Sequence, residues 1–300
     1  VRERVWRPEG PVDVALALAV HRRGSGDPAW RRGPDGSVWR TSRTPDGPVT
    51  LRVAVRRAEG AVRASAWGDG AGWALDMLPA LLGAHDDATG FEAPEGVLRE
   101  TARRHPGFRI GRSGRVFEAL VPAVLEQKVV GREAFRAWRW LLRKYGEPAP
   151  GPAPEEMRVF PPPEVWRTVP SWDWHRAGAE AVRARTIVNA ARHAVKLEAA
   201  ATSQDADRLL RALPGIGVWT SAEIRQRAFG DPDAVSVGDY HLCSLVGWAL
   251  TGAKTDDAGM LELLAPFRGH RHRAARLVEL SGVRPPARGP RMAARDYRSF

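Results

Sequence analysis

The sequence predicts an α+β protein, with a small antiparallel sheet domain and its covering helix over residues 1–90 and a mostly helical body over 91–284. Two observations carry this. Up to about residue 70, short Val- and Trp-rich runs are separated by turn-forming residues. From Val97 onward, apolar residues recur at helical spacing and strand signals fade. The length of 300 residues suffices for two domains with real cores.

The apolar run Val12 to Val20 is short and rich in Val and Leu, and reads as a buried strand. Trp30 to Arg40 turns at Pro34-Asp35-Gly36, and Val49 to Arg57 returns to Ala61 to Trp67 across Glu59-Gly60. A helix from Trp73 to Leu82, with Leu75, Leu78 and Leu82 on one face, would cover these hairpins. After a polar connection from His85 to Pro94 comes the longest helical pattern, Val116 to Tyr145, which Gly131 divides in two. Trp138 and Trp140 fit core and surface packing better than base stacking. Glu147 to Pro163 is a Pro-rich surface loop, and Trp166, Trp172 and Trp174 form a dense aromatic group suited to core packing. Helices follow over Ala177 to Ala200, Asp205 to Ala212, Trp219 to Phe229, the segment after Asp239 through Leu250, Asp256 to Leu264 and His270 to Leu280. The Arg- and Pro-rich tail, 285–300, reads as irregular.

The formal charge of +11 favours a polyanionic partner. That charge is almost all Arg in an Ala-, Gly- and Pro-rich chain, which a GC-rich genome also produces. The single cysteine, Cys243, excludes an intrachain disulfide and a cysteine-ligated iron–sulfur cluster. Arg2, Arg4 and Arg7 before an apolar run imitate a signal peptide, but Asp13 interrupts the run and His21-Arg22-Arg23 ends it. No stretch approaches the ~20 apolar residues of a membrane span. A soluble cytoplasmic monomer with no membrane partner is expected.

The most informative stretch is Leu213-Pro214-Gly215-Ile216-Gly217-Val218-Trp219-Thr220, followed by Val237-Gly238-Asp239-Tyr240. Two glycines around one apolar residue permit a tight turn and close approach of a ligand to the backbone. The next helix then begins with unpaired N–H groups, a natural seat for phosphate. An ordinary helix–helix turn plugged by Ile216 fits the hairpin alone equally well.

Together these residues resemble the helix-hairpin-helix DNA glycosylase superfamily (HhH-GPD), in its 3-methyladenine DNA glycosylase II, AlkA-like branch. Phe117 to Val129, with Glu126-Gln127-Lys128, and the turn His105 to Ile110 extend the likeness over about residues 90 to 280. The resemblance implies base excision repair in a bacterial, nucleoid-associated protein acting on duplex DNA. It makes Asp239 the catalytic carboxylate, with N-capping of the next helix as its bland alternative. Gly215, Ile216, Gly217, Thr220, Gln127, Lys128 and Arg271 become the DNA contacts. The Leu213 and Ile216 carbonyls become ligands of a structural potassium or sodium ion, with no cofactor needed for the chemistry. Trp219 stands where strand-nicking relatives place a lysine, so no lyase activity is expected. Trp219 and Tyr240 are expected to wall the base pocket, with core packing as the alternative for both and an equally good fit for Tyr240. Three departures bear on substrate: Glu223 replaces an aromatic residue, His270-Arg271-His272 replaces a Trp-Arg-x-Tyr-like segment, and Lys128 replaces an apolar wedge. Glu223, His270 or His272 is therefore expected to hydrogen-bond the everted base, broadening or altering selectivity, while Lys128 meets phosphate or the vacated stack. The rival readings are a DNA-binding module without activity and a glycosylase for an oxidised, deaminated or bulky base.

Overall fold

The computed structural model describes residues 1–286. Its first layer is a five-stranded antiparallel sheet of β1 (Arg2–Trp6), β2 (Trp30–Arg32), β3 (Val38–Thr44), β4 (Gly47–Arg56) and β5 (Ala61–Trp67), ordered β1-β5-β4-β3-β2. Both expected hairpins form. Arg32 lies opposite Val38 around the Pro34-Asp35-Gly36 turn, where Asp35 accepts hydrogen bonds from the Ser37 N–H and hydroxyl. Arg56 lies opposite Ala61 across the second turn. The sequence reading missed β1, a polar edge strand whose pairing with β5 is its main support.

The segment expected as a buried strand is instead a helix, α1 (Val14–Ala19). Asp13, read as an interruption, is its N-cap: Oδ1 accepts from the Leu16 N–H at 2.9 Å. Val14, Ala17 and Leu18 are then buried at helical spacing. The covering helix expected over Trp73 to Leu82 is two short ones, α2 (Ala71–Asp76) and α3 (Leu78–Leu81), with Pro79 in the first turn of the second. Leu18, Val38, Val53, Ala64 and Leu78 join these elements in one core.

The rest of the described chain is helical, apart from the two-residue strands β6 (Glu147–Pro148) and β7 (Arg158–Val159) inside the Pro-rich loop. Such short strands leave no periodicity to read. The helices are α4 (Val97–Arg104), α5 (Val116–Leu125), α6 (Gly131–Tyr145), α7 (Pro163–Thr168), α8 (Ser171–Ala177), α9 (Ala181–Arg192), α10 (Ala194–Glu198), α11 (Ser203–Arg211), α12 (Val218–Ala228), α13 (Leu242–Thr251), α14 (Asp257–Leu264) and α15 (Arg271–Leu280). The expected Ala177 to Ala200 helix is interrupted by Gly178, at φ +82°, and again at His193. Gly131 does open the second half of the Val116 to Tyr145 pattern, but the first half stops at Leu125. Gln127 and Lys128 therefore sit in a turn, with Lys128 left-handed at φ +53°.

This body has two cores. One gathers α5 to α12 around Leu120, Trp138, Trp166 and Ile187; the other gathers α4 and α13 to α15 around Val246, Met260 and Ala274. Trp166 and Trp174 are buried with their indole N–H groups on the Pro161 and Val169 carbonyls, while Trp172 is 64% exposed. The tail expectation for 285–300 lies almost wholly outside the described residues.

Candidate active site

The hairpin joining α11 to α12 takes the shape that its glycines allow. Gly215 has φ +88°, and a Cβ there would meet the Thr186 hydroxyl of α9 at 2.2 Å, so this glycine is required by both backbone and packing. Gly217 differs: its φ is −96°, and a Cβ would meet nothing within 4 Å. Its backbone faces open space beside the start of α12, whose first N–H groups have no intrahelical acceptor. Ile216 is buried and plugs the turn. Gln127 donates from Nε2 to the Gly215 carbonyl at 2.9 Å and to Thr220 Oγ1 at 2.8 Å. With Thr220 only 3% exposed, this pair braces the hairpin against the end of α5. Those two side chains are spent on the protein, whereas Lys128 beside them is exposed.

Asp239 lies at the edge of a cavity of about 190 Å³ that also includes Trp219 in its wall. Three donors fix the carboxylate. Oδ1 accepts the backbone N–H groups of His241 at 2.8 Å and Leu242 at 2.9 Å, and Oδ2 accepts Trp219 Nε1–H at 3.2 Å. The bland alternative is thus present as well: Asp239 caps α13 with one oxygen and offers the other to the cavity's edge. Gly238, at φ +90°, makes the turn that presents it.

Two helical stripes wall the interior. From α12 come Trp219, Glu223, Gln226 and Arg227; from α15 come His272, Ala275, Arg276 and Glu279. Both sets follow the three- and four-residue steps of one helix face. The sheet domain closes a third side with Leu16 and Ala17 of α1 and Val20 just after it, and Phe108 to Gly111, Glu126, Ser236 and Leu242 complete it. Glu223 does not stand alone. Its carboxylate pairs with Arg227 at 2.8 Å and accepts from Ser236 Oγ at 2.5 Å. Burial disfavours its charge, but Arg227, the Ser236 hydroxyl and Arg23 outweigh that and hold the carboxyl below the usual range. Burial also holds His272 well below the usual imidazole range, reinforced by Arg276, Arg227 and Arg273, so the ring is neutral.

Other expected residues fall elsewhere. Tyr240 is 81% exposed, edge-on to His241, and does not line the cavity; the turn at Gly238 that aims Asp239 inward sends the next side chain outward. His270 also stays out, with Nε2 3.1 Å from the Thr89 carbonyl oxygen and its ring against Phe91. Arg271 is held by Asp233 through Nε and Nη2, at 2.8 and 2.5 Å, instead of facing solvent as a free cation. Sequence reading missed Arg227, Arg276, Glu279 and the α1 wall. The spacing of Arg227 from Glu223 was legible as an ion pair, but nothing local marked α1 as part of a cavity.

Among the described residues, no group of three His, Cys, Asp or Glu side chains could hold a metal ion, and no helix is long and apolar enough to cross a membrane. The hairpin carbonyls are a different donor set. Leu213 O accepts one hydrogen bond, from the Ile216 N–H at 3.1 Å, and keeps a second lone pair. Neutral backbone oxygens of this kind suit a monovalent cation.

No family model matches the chain. Over 149 residues it is 33% identical to a Mycobacterium tuberculosis protein described as a probable bifunctional transcriptional activator/DNA repair enzyme AlkA. That match covers 48% of this chain and 29% of the relative, so the chain spans less than a third of the curated relatives' length. Among solved structures, a 3-methyladenine DNA glycosylase from Archaeoglobus fulgidus superposes with a TM-score of 0.74 at 17% identity, covering 92% of this chain and 97% of that one. A Clostridium acetobutylicum 8-oxoguanine glycosylase/lyase superposes with a TM-score of 0.71 at 11% identity, over 94% and 97%. The fold is therefore shared along nearly the whole described chain, while sequence likeness covers half of it. The chain thus has the fold of solved DNA glycosylases and is similar in sequence, over about half its length, to a protein described as AlkA.

Proposed function

We propose that the protein is a monofunctional DNA glycosylase that hydrolyses the N-glycosidic bond of a damaged purine, an alkylated one on the family resemblance, in duplex DNA. The observation that carries this is the Asp239 carboxylate, fixed by three donors at the edge of a cavity and joined through Trp219 to the helix that the glycine hairpin opens. A base inside a stacked duplex is out of reach, so the nucleotide must turn out into the cavity. The N–H groups around Gly217 hold the neighbouring phosphate. A potassium or sodium ion on the Leu213 and Ile216 carbonyls would add positive charge at that contact.

With the base in the cavity, its sugar lies at the edge beside Asp239. As the C1′–N bond lengthens, the bonding electrons leave with the base and positive charge develops on the sugar. The Asp239 carboxylate stabilises that charge and orients the water that adds to C1′. Trp219 supplies a face for the base, and its indole N–H keeps the carboxylate aligned. An indole cannot form a Schiff base, so the abasic strand is released uncut.

The test is release of free base from alkylated duplex DNA by the wild type and by Asp239→Asn. Asparagine keeps the cap and removes the charge, so release should fall on the order of a hundredfold or more while DNA affinity persists. The other reading, a binding module in which Asp239 only caps α13, is favoured by the two N–H bonds to Oδ1; it gives DNA binding with no base release by either protein. Borohydride trapping of a covalent DNA adduct would contradict the monofunctional assignment.

A further inference from the structure

Among the described residues four carboxylates line the cavity, and one of them is held differently from the rest. Glu223 accepts from Arg227 and Ser236, Glu279 accepts from Arg276, and Asp239 accepts from Trp219 and two backbone N–H groups. The carboxylate of Glu126 accepts no hydrogen bond from any described residue. Its polar contact is an ion pair: Oε1, which is buried, lies 3.3 Å from Arg23 Nε without the alignment of a hydrogen bond. That pair accounts for Oε1 and leaves Oε2 unexplained. Oε2 is neither buried nor partnered, and the side chain as a whole is 22% exposed.

The protein fixes both ends of this arrangement. Glu126 caps the C-terminus of α5, where its N–H donates to the Pro122 carbonyl at 3.0 Å. The next residue, Gln127, is tied to Gly215 and Thr220 at the hairpin, so consecutive residues serve the hairpin and the cavity. Arg23 is 6% exposed and does not line the cavity; its Nη1 donates to the Val20 carbonyl at 3.0 Å and its backbone N–H to Asp27 at 2.6 Å. The cation therefore stays behind the wall, and one carboxylate oxygen is left for whatever enters.

A carboxylate only accepts hydrogen bonds, with lone pairs for about four. The lining donors Trp219, Gln226, Arg227 and Arg276 each donate to other groups. A ligand that completes Glu126 must therefore bring its own donor. A base turned out of the duplex brings one on its Watson–Crick edge, which is freed when its pair is broken.

We infer that Glu126 reads the everted base by accepting a hydrogen bond at Oε2 from an N–H of its Watson–Crick edge, and that the enzyme favours damaged purines that keep such a donor over those in which the lesion has removed it. The inference rests on the glycosylase reading and narrows its substrate class.

The test compares single-turnover base release from duplexes carrying hypoxanthine, which has an N1–H, or ethenoadenine, whose added ring leaves no N–H on that edge. Both are uncharged purines, so the pair isolates the hydrogen bond. Wild type should favour hypoxanthine. Glu126→Ala should lower the hypoxanthine to ethenoadenine ratio by about tenfold or more, and Glu126→Gln, whose carbonyl still accepts, should recover part of it. An unchanged ratio in Glu126→Ala overturns the assignment, as does a wild-type preference for ethenoadenine. Equal losses on both bases count against it in the same way, because a purely structural role for the Arg23 pair slows every substrate alike. Melting of each variant separates misfolding from lost recognition. If the wild type releases neither base, affinity for duplexes with 2′-fluoro-stabilised deoxyinosine or ethenodeoxyadenosine decides: a preference for the former that Glu126→Ala loses supports the inference, and equal binding overturns it. The glycosylase reading stands or falls separately, on release from alkylated DNA and its loss in Asp239→Asn.

Discussion

The edge of the cavity and its inner end are built from opposite materials. At the edge, the hairpin presents backbone N–H groups, and beside it three hydrogen bonds hold the Asp239 carboxylate against the cavity. At the inner end, paired charges from α12 and α15 surround the buried His272 ring. The edge holds the parts that the proposed reaction needs to grip a strand and stabilise a sugar cation. Edge substitutions should therefore act on rate and binding with little loss of stability, and interior substitutions on stability and on choice of base.

The largest expected effect is at the edge. Asp239→Asn should slow base release on the order of a hundredfold or more and leave the melting temperature within a few degrees, since asparagine caps a helix about as well as aspartate. Comparable loss of rate and stability would show the two functions of Asp239 to be inseparable. The interior counterpart is Glu223→Ala, which strands Arg227 in a mostly buried setting. Breaking such a pair costs about 3 kcal/mol or more, so the urea midpoint should drop clearly.

The two hairpin glycines sharpen the contrast within the edge itself. Gly215→Ala forces a side chain into a left-handed residue and against Thr186, and should destabilise the fold by about 1–3 kcal/mol. Gly217→Ala meets no neighbour in the free protein, so its stability should hold. Its affinity for duplex DNA should fall by about tenfold as the methyl group comes between backbone and phosphate. Equal DNA affinity in wild type and Gly217→Ala would remove that phosphate contact from the proposal.

The smallest effect is on pH dependence. His21 and His272 are both held well below the usual imidazole value, chiefly by burial and then by nearby arginines. The unfolded chain therefore binds more protons than the folded one once pH drops below about 6.5. Stability is full above that value and declines as pH falls toward the folded values, by up to about 1.4 kcal/mol per pH unit for each ring. His272→Phe should flatten the fall in melting temperature between about pH 6.5 and 5 relative to wild type. An unchanged slope would mean that His272 is not the neutral ring described here.

Much of this protein was legible without coordinates wherever a local rule acts on adjacent residues. The Pro34-Asp35-Gly36 and Glu59-Gly60 turns fixed two hairpins, Gly131 opened a helix, and the paired glycines with Asp239 marked the edge of the site. Local rules failed where the same residues admit two backbone states. The Val12 to Val20 run suits a strand by composition, and only the Asp13 cap and burial against the sheet core make it a helix. Tyr240 follows Asp239 directly, yet a turn sends the two side chains in opposite directions.

By itself, the sequence determined the α+β class, the hairpin and the carboxylate, because glycine φ freedom and helix capping depend on a few neighbouring residues. Tertiary structure alone decided which charges are paired and which imidazole ring is buried and neutral. That question is settled by side chains brought together from α1, α12 and α15, hundreds of residues apart in the chain at the extremes. Desolvation, which turns an ordinary surface histidine into a neutral hydrogen-bonding group, exists only once those elements close over it.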